Sequence, residues 1–208
     1  MAFPGPMTEG SDAPLSETTR AVYEAGAEAW DRERRRDLRE RPWLERFLGL
    51  APEGPVLDLG CGGGEPIAAW LVGEGRAVTG VDFAAPLLDR ARARLPGEWI
   101  LADMRALDLG RRFAGILAWD SFFHLTEAEQ RAMFPRFARH LAPGGALMFT
   151  SGTEVGEAIG AVDGRPLHHA SLSPAGYAAC LEAAGLAVRA FVAEDPACDR
   201  SVWLARAR

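Results

Sequence analysis

The chain has 208 residues, 48% of them apolar and 25% charged, with a formal net charge of -6. That size suits one α/β domain with a substantial core, and the acidic balance offers no concentrated basic surface for nucleic acid. Three cysteines far apart (Cys61, Cys180, Cys198) form no C-x-x-C or Cys/His set, which argues against a zinc site or disulfide frame and fits a reducing cytoplasm.

In chain order, the Pro/Gly-rich start at 1–14 reads as a disordered tail without the form of a signal peptide. No apolar run approaches the roughly 20 residues of a membrane span. Residues 15–50 form a helical extension, with apolar positions at Val22, Trp30, Leu38, Trp43, Leu44, Phe47 and Leu48 and with Pro42 suited to the first turn of a second helix. The arginine-rich run Asp31 to Arg41 interleaves acids at helical spacing and reads as a solvated helix face. From 51 to 208 short apolar runs alternate with helical segments. Strands are expected at 56–59, 77–81, 99–101, 115–119 and 146–150, and helices at 66–72, 86–95 and 127–141. A further helix at 174–184 precedes two β-like runs, 186–193 and 201–207, joined by a Glu-Asp-Pro-Ala-Cys-Asp turn. This rhythm implies a Rossmann-like three-layer α/β sandwich: a mostly parallel sheet ending in an antiparallel hairpin, with ligands at the carboxyl ends of the strands. Asp58, Asp82, Asp103 and Asp120 all fall at or just past such ends.

The most informative stretch is Val56 to Pro66, VLDLGCGGGEP. Glycines at 60, 62, 63 and 64 let the backbone turn sharply and approach a ligand closely. The dinucleotide pattern G-x-G-x-x-G fails here, because Glu65 or Ile67 stands where the third glycine belongs. A carboxylate on the first turn of the next helix would also repel a diphosphate.

Asp58-Leu59-Gly60-Cys61-Gly62-Gly63-Gly64 after a Val-Leu strand resembles motif I of class I S-adenosylmethionine-dependent methyltransferases. The resemblance runs from about Tyr23 to the end. It implies cofactor contacts from Asp58, Gly60, Cys61 and Gly62, a ribose partner in Asp82, adenine contacts from Phe83, Asp103 and Met104, and a place for Trp119 beside the methionine end. It also implies that the 15–50 extension is a lid, with Tyr23 and Trp30 seven apart on one helical face. Each position keeps a plainer alternative. Asp82 could be a solvated loop acid, Asp103 a turn cap, Asp120 a cap before Glu127, and Phe83, Trp119, Phe122 and Phe123 core. Tyr23 and Trp30 could simply dock their helix. Leu141 to Phe149 resembles the family's Pro-Gly-Gly turn, with Gly144 or Gly145 ending the helix.

Candidate catalytic residues are His124, as a general base or a structural histidine, and Asp120, as a partner for a cationic or proton-bearing acceptor. The segment from Thr153 to Leu172 matches in position an insertion that faces the acceptor in the family. It carries Glu154, Glu157, Asp163, His168 and His169 without metal-ligand spacing. No N/D-P-P-Y/F tetrapeptide occurs; Asp120-Ser121-Phe122-Phe123 stands there instead. The expectation is therefore methyl transfer from S-adenosyl-L-methionine to a small-molecule acceptor, with no metal, nucleic acid or membrane involved. The alternatives are a non-catalytic S-adenosylmethionine-binding protein and an NAD(P)-linked oxidoreductase.

Overall fold

The computed structural model describes residues 15–208, so the expected tail at 1–14 lies outside the described residues. A seven-stranded sheet runs in the order β3-β2-β1-β4-β5-β9-β8. β1 (Val56–Leu59), β2 (Val78–Asp82), β3 (Glu98–Leu101), β4 (Phe113–Ala118) and β5 (Leu141–Ser151) pair in parallel. β8 (Leu186–Asp195) and β9 (Arg200–Ala207) close the sheet as an antiparallel hairpin. β1, β2 and β4 are buried along their whole length, as a sheet covered on both faces requires.

Two apolar layers do the covering. On one face α5 (Glu127–His140) and α6 (Pro174–Ala183) bury Phe122, Phe134, Phe137, Phe149, Tyr177 and Trp203. On the other, α2 (Arg41–Leu50), α3 (Ile67–Gly73) and α4 (Ala85–Arg94) pack Trp43, Leu44, Phe47, Leu71 and Leu88 against the sheet. Local sequence sets the helix starts: Pro42 sits in the first turn of α2, Ser173 caps α6, and Thr126 with Glu129 forms a capping box on α5. That box removes the capping alternative for Asp120.

Two expectations need correction, and one segment takes a form the sequence left open. The arginine-rich run is no helix face, because α1 (Leu15–Glu33) ends inside it and α2 begins only at Arg41. Its charges reach across the molecule instead: Asp31 takes both guanidinium nitrogens of Arg94 at 2.6 Å, Arg36 pairs with Glu65 at 2.9 Å, and Arg34 pairs with Glu40 at 3.2 Å. Second, α5 stops at His140 rather than at a glycine. Leu141 is already extended (φ -87°, ψ 136°), since Pro143 removes a donor and biases its predecessor away from helix. Gly144, at φ +72°, turns the chain within the strand before Ala146 pairs with Gly115. Residues 153–172 build a second two-stranded sheet, β6 (Gly156–Val162) with β7 (Arg165–Ser171), turning at Asp163-Gly164. This hairpin and α1 lie together over the carboxyl edge of the main sheet.

α1 contributes Tyr23, Ala27 and Trp30 to a small apolar contact with Phe83, Ala84 and Leu87. Asp31, almost fully buried, clamps the far end of the helix to α4 through Arg94. Asp31→Asn is expected to lower stability by about 1–2 kcal/mol, since a bidentate, largely sheltered pair loses its charge. Urea denaturation at low and high salt checks this, and the gap between wild type and variant should narrow as salt rises.

Candidate active site

Strand order reverses between β1 and β4, and the crevice sits at that switch. The loop after β1 runs beneath it. Gly60 has φ +74°, and a Cβ there would lie 2.2 Å from the Ser121 Cβ; Gly62 has φ +53°, and a Cβ would lie 2.7 Å from the Trp30 ring. Only glycine fits both the backbone and the space. Ser121 Oγ–H donates to the Leu59 carbonyl at 2.7 Å, tying the β4 end to the β1 end.

The partly open cavity at the switch is about 50 Å³ and is lined by Tyr23, Trp30, Gly60, Gly62, Asp82, Phe83, Met104, Asp120 and His124, among others. The structure therefore gathers nine of the thirteen sequence-derived candidates into one wall. The other four lie beside it. Asp58, Cys61 and Trp119 line a side recess with Arg34 and Glu65, reached past Gly60 and Asp120. Asp103 is turned away: its carboxylate holds the Arg105 guanidinium and accepts the Arg105 N–H at 2.9 Å, capping the turn at 104–106. It borders an adjoining recess shared with Phe83, Met104 and His124. Of the aromatic cluster, Phe122 is wholly core while Phe123 faces another chamber.

Asp82 holds the cavity floor together. Its Oδ2 accepts the Gly62 N–H at 2.9 Å and its Oδ1 the Ala84 N–H at 2.8 Å. Burial raises its pKa, and these backbone donors oppose the rise. Asp58 is pushed up to about 7, first by burial and then by the charge of Asp82, with the Arg34 guanidinium opposing. A carboxyl whose folded pKa exceeds its unfolded value of about 3.9 binds its proton more tightly when folded. Its contribution to stability is thus present below about pH 4 and lost as pH rises through about 7. The expected result is that Asp58→Asn gains stability relative to wild type between pH 5 and 8. Denaturation midpoints across that interval test it, and a constant difference would refute it.

His124 is buried. Its Nδ1 lies 3.2 Å from the His168 carbonyl, which can only accept, so Nδ1 carries the proton. Nε2 is then free to accept from the Tyr23 hydroxyl at 2.9 Å. Burial lowers the His124 pKa to about 4, and burial together with the charges of Asp120 and Asp82 raises that of Tyr23. Both rings are neutral near pH 7. Asp120, at φ +51°, is gripped by Arg200 through Nε (2.5 Å) and Nη2 (3.0 Å), with Arg34 at 3.6 Å. Ser121 and Arg34 were given no role at the site by the sequence, and Arg200 stands in no motif and arrives from 80 residues away. Glu65 precedes α3 and is paired with Arg36, so its charge is partly spent and its force against a diphosphate is less than its sequence position implied.

Residues 56–145 match the sequence model of the "Methyltransferase domain" family. A solved methyltransferase from Streptomyces caelestis, CcbJ, superposes with a TM-score of 0.73 at 21% identity, covering 94% of this chain and 99% of that one. Residues 56–145 thus resemble a methyltransferase domain, and the chain shares the fold of that solved enzyme. Magnesium protoporphyrin IX methyltransferase from Synechocystis, solved with bound S-adenosylmethionine, gives a TM-score of 0.72 at 14% identity, covering 96% and 100%. A trans-aconitate 2-methyltransferase of Paracidovorax citrulli is 35% identical over 115 residues, which is 53% of this chain but 44% of that protein. The chain thus matches less than half the length of this curated relative. Among the described residues no helix is long and apolar enough to cross a membrane, and no three His, Cys, Asp or Glu side chains group as metal ligands.

Proposed function

We propose that this protein transfers a methyl group from S-adenosyl-L-methionine to a small-molecule acceptor. The observation that carries the reading is the pair of buried carboxylates, Asp58 and Asp82, set around left-handed glycines at the switch point. Such a cradle fits a cationic, hydroxyl-bearing nucleoside: Asp82 would hold ribose hydroxyls, Phe83 and Met104 would flank adenine, and Asp58 beside Trp119 and Cys61 would face the cationic amino-acid end. Asp103, already engaged with Arg105, borders the adenine side through the adjoining recess. Tyr23 and Trp30 would roof the site from α1, making the 15–50 extension a lid on the 51–208 domain.

The sulfonium, when bound, supplies its own leaving group, so the protein's task is alignment and exclusion of water, worth up to roughly 7–11 kcal/mol. The Tyr23–His124 hydrogen bond holds the phenol at the cavity wall. His124 Nε2 already accepts the Tyr23 hydroxyl, and burial lowers the imidazole pKa to about 4, so we read His124 as the orienting partner of Tyr23. Calorimetric titration with sinefungin tests the reading. Saturable binding is expected, and no heat up to millimolar ligand would defeat it. Binding without release of S-adenosylhomocysteine from any acceptor would favour a non-catalytic cofactor-binding protein.

A further inference from the structure

Beside the cavity roofed by Tyr23 lies a much larger, open chamber of about 580 Å³. Its walls are the end of β5 (Ser151), the 152–158 segment with Glu154 and Glu157, the β7 residues His169 and Ser171, Phe123, and Arg200. A thin partition separates the two spaces. It consists of the Asp120–Arg200 ion pair and the ring contacts of His124 with Phe123 (4.9 Å) and His169 (4.9 Å). Asp120 and His124 face the smaller cavity, while Arg200, Phe123 and His169 face the chamber. The volume lies within the roughly 300–1,000 Å³ range of small-molecule sites.

The charges around this chamber discriminate between acceptor classes. The charge of Arg200 is paired with Asp120 through Nε and Nη2, and its Nη1 donates to the Asp199 carbonyl at 2.8 Å. The neighbouring Arg34 is held by Glu40 and Asp120. Arg200, the one guanidinium among the described residues lining the chamber, therefore has its charge offset by Asp120. Glu154 and Glu157 leave the wall negative, and Phe123 and His169, edge-to-face at 4.8 Å, present aromatic surface of the kind that attracts cations. Behind Glu157 stands His168, buried with 6% exposure, with neither ring nitrogen hydrogen-bonded and its Nε2 3.4 Å from the Glu157 carboxylate. Both imidazoles on the partition are uncharged near neutrality, so they add no repulsion to a cation.

We propose that this chamber is the acceptor site and that it takes a small amine, attracted in its ammonium form and methylated on nitrogen. The assignment rests on the methyl-transfer reading above. The ammonium first loses a proton to water. The free nitrogen lone pair then forms the N–C bond as the C–S bond breaks, sulfur keeps that electron pair, and the methylated ammonium product yields its remaining acidic proton to solvent.

The test uses the full chain, sinefungin calorimetry, and S-adenosylhomocysteine release with matched probes: a panel of small amines such as phenethylamine and cyclohexylamine against 3-phenylpropionate, cyclohexanecarboxylate and trans-aconitate. Turnover is expected with amines alone, at a rate that rises with pH toward the amine's own pKa. The exposed double variant Glu154→Gln, Glu157→Gln should fold as wild type, bind sinefungin unchanged, and lose about fivefold in kcat/KM for the amine. Turnover of carboxylates without amines, a pH-independent rate, or a double variant equal to wild type would overturn the amine assignment. So would sinefungin binding with no amine turnover. Failure to bind sinefungin would strike the methyl-transfer reading itself.

Discussion

Asp82→Asn is expected to weaken sinefungin binding about ten- to a hundredfold, the equivalent of roughly 1.4–2.8 kcal/mol. Two losses combine. The carboxylate offered to ribose hydroxyls loses its charge-assisted bonds. The amide that replaces it must also turn its NH₂ toward either the Gly62 or the Ala84 N–H, each of which now donates to a carboxylate oxygen. One backbone donor is left without an acceptor, so stability should fall by about 1–3 kcal/mol as well. Calorimetry together with thermal melting separates the two effects. An unchanged affinity, whatever the melting temperature, would remove Asp82 from the binding site.

Phe122→Ala should destabilise the protein by about 3–5 kcal/mol, and Phe123→Ala by far less. The two rings are neighbours in sequence with opposite fates. Phe122 is fully buried and meets the rings of Phe134, Phe137, Phe149 and Tyr177 at centroid distances of 5.2–6.4 Å. Truncating it opens a cavity that four other aromatic side chains cannot fill. Phe123 touches only His124 and His169 among rings and borders the open chamber. Its loss should appear in acceptor KM with little change in the denaturation midpoint. Equal destabilisation by the two variants would show that Phe123 is core after all.

The parallel sheet was legible in the sequence because its strands are short, apolar and separated by helical periods, and because carboxylates mark their ends. β1 was read with its bounds intact, and the terminal hairpin was recognised from two β-like runs around a turn. The glycine loop was legible for a steric reason: two of its glycines occupy left-handed backbone where a Cβ would collide with Ser121 or Trp30. Contacts between distant segments left no local trace. The charges of 31–41 imitate helical spacing, yet their partners Arg94, Asp120 and Asp199 lie in other elements, so the run was misread as a solvated face. The β6–β7 hairpin was hidden because its outward strand is largely exposed and lacks a clean alternation. The orientation of Asp103 turned on Arg105 two residues later, a choice between two legitimate partners that spacing alone does not decide.

The small hollow under Tyr23 and Trp30 has a kinetic corollary. At about 50 Å³ it has room for a water molecule or two, far less than a nucleoside sulfonium occupies. Cofactor entry is therefore expected to need an outward shift of α1, with rupture of the Tyr23–His124 bond. In stopped-flow mixing the observed rate should level off at high cofactor concentration, and the plateau measures how often the roof lifts.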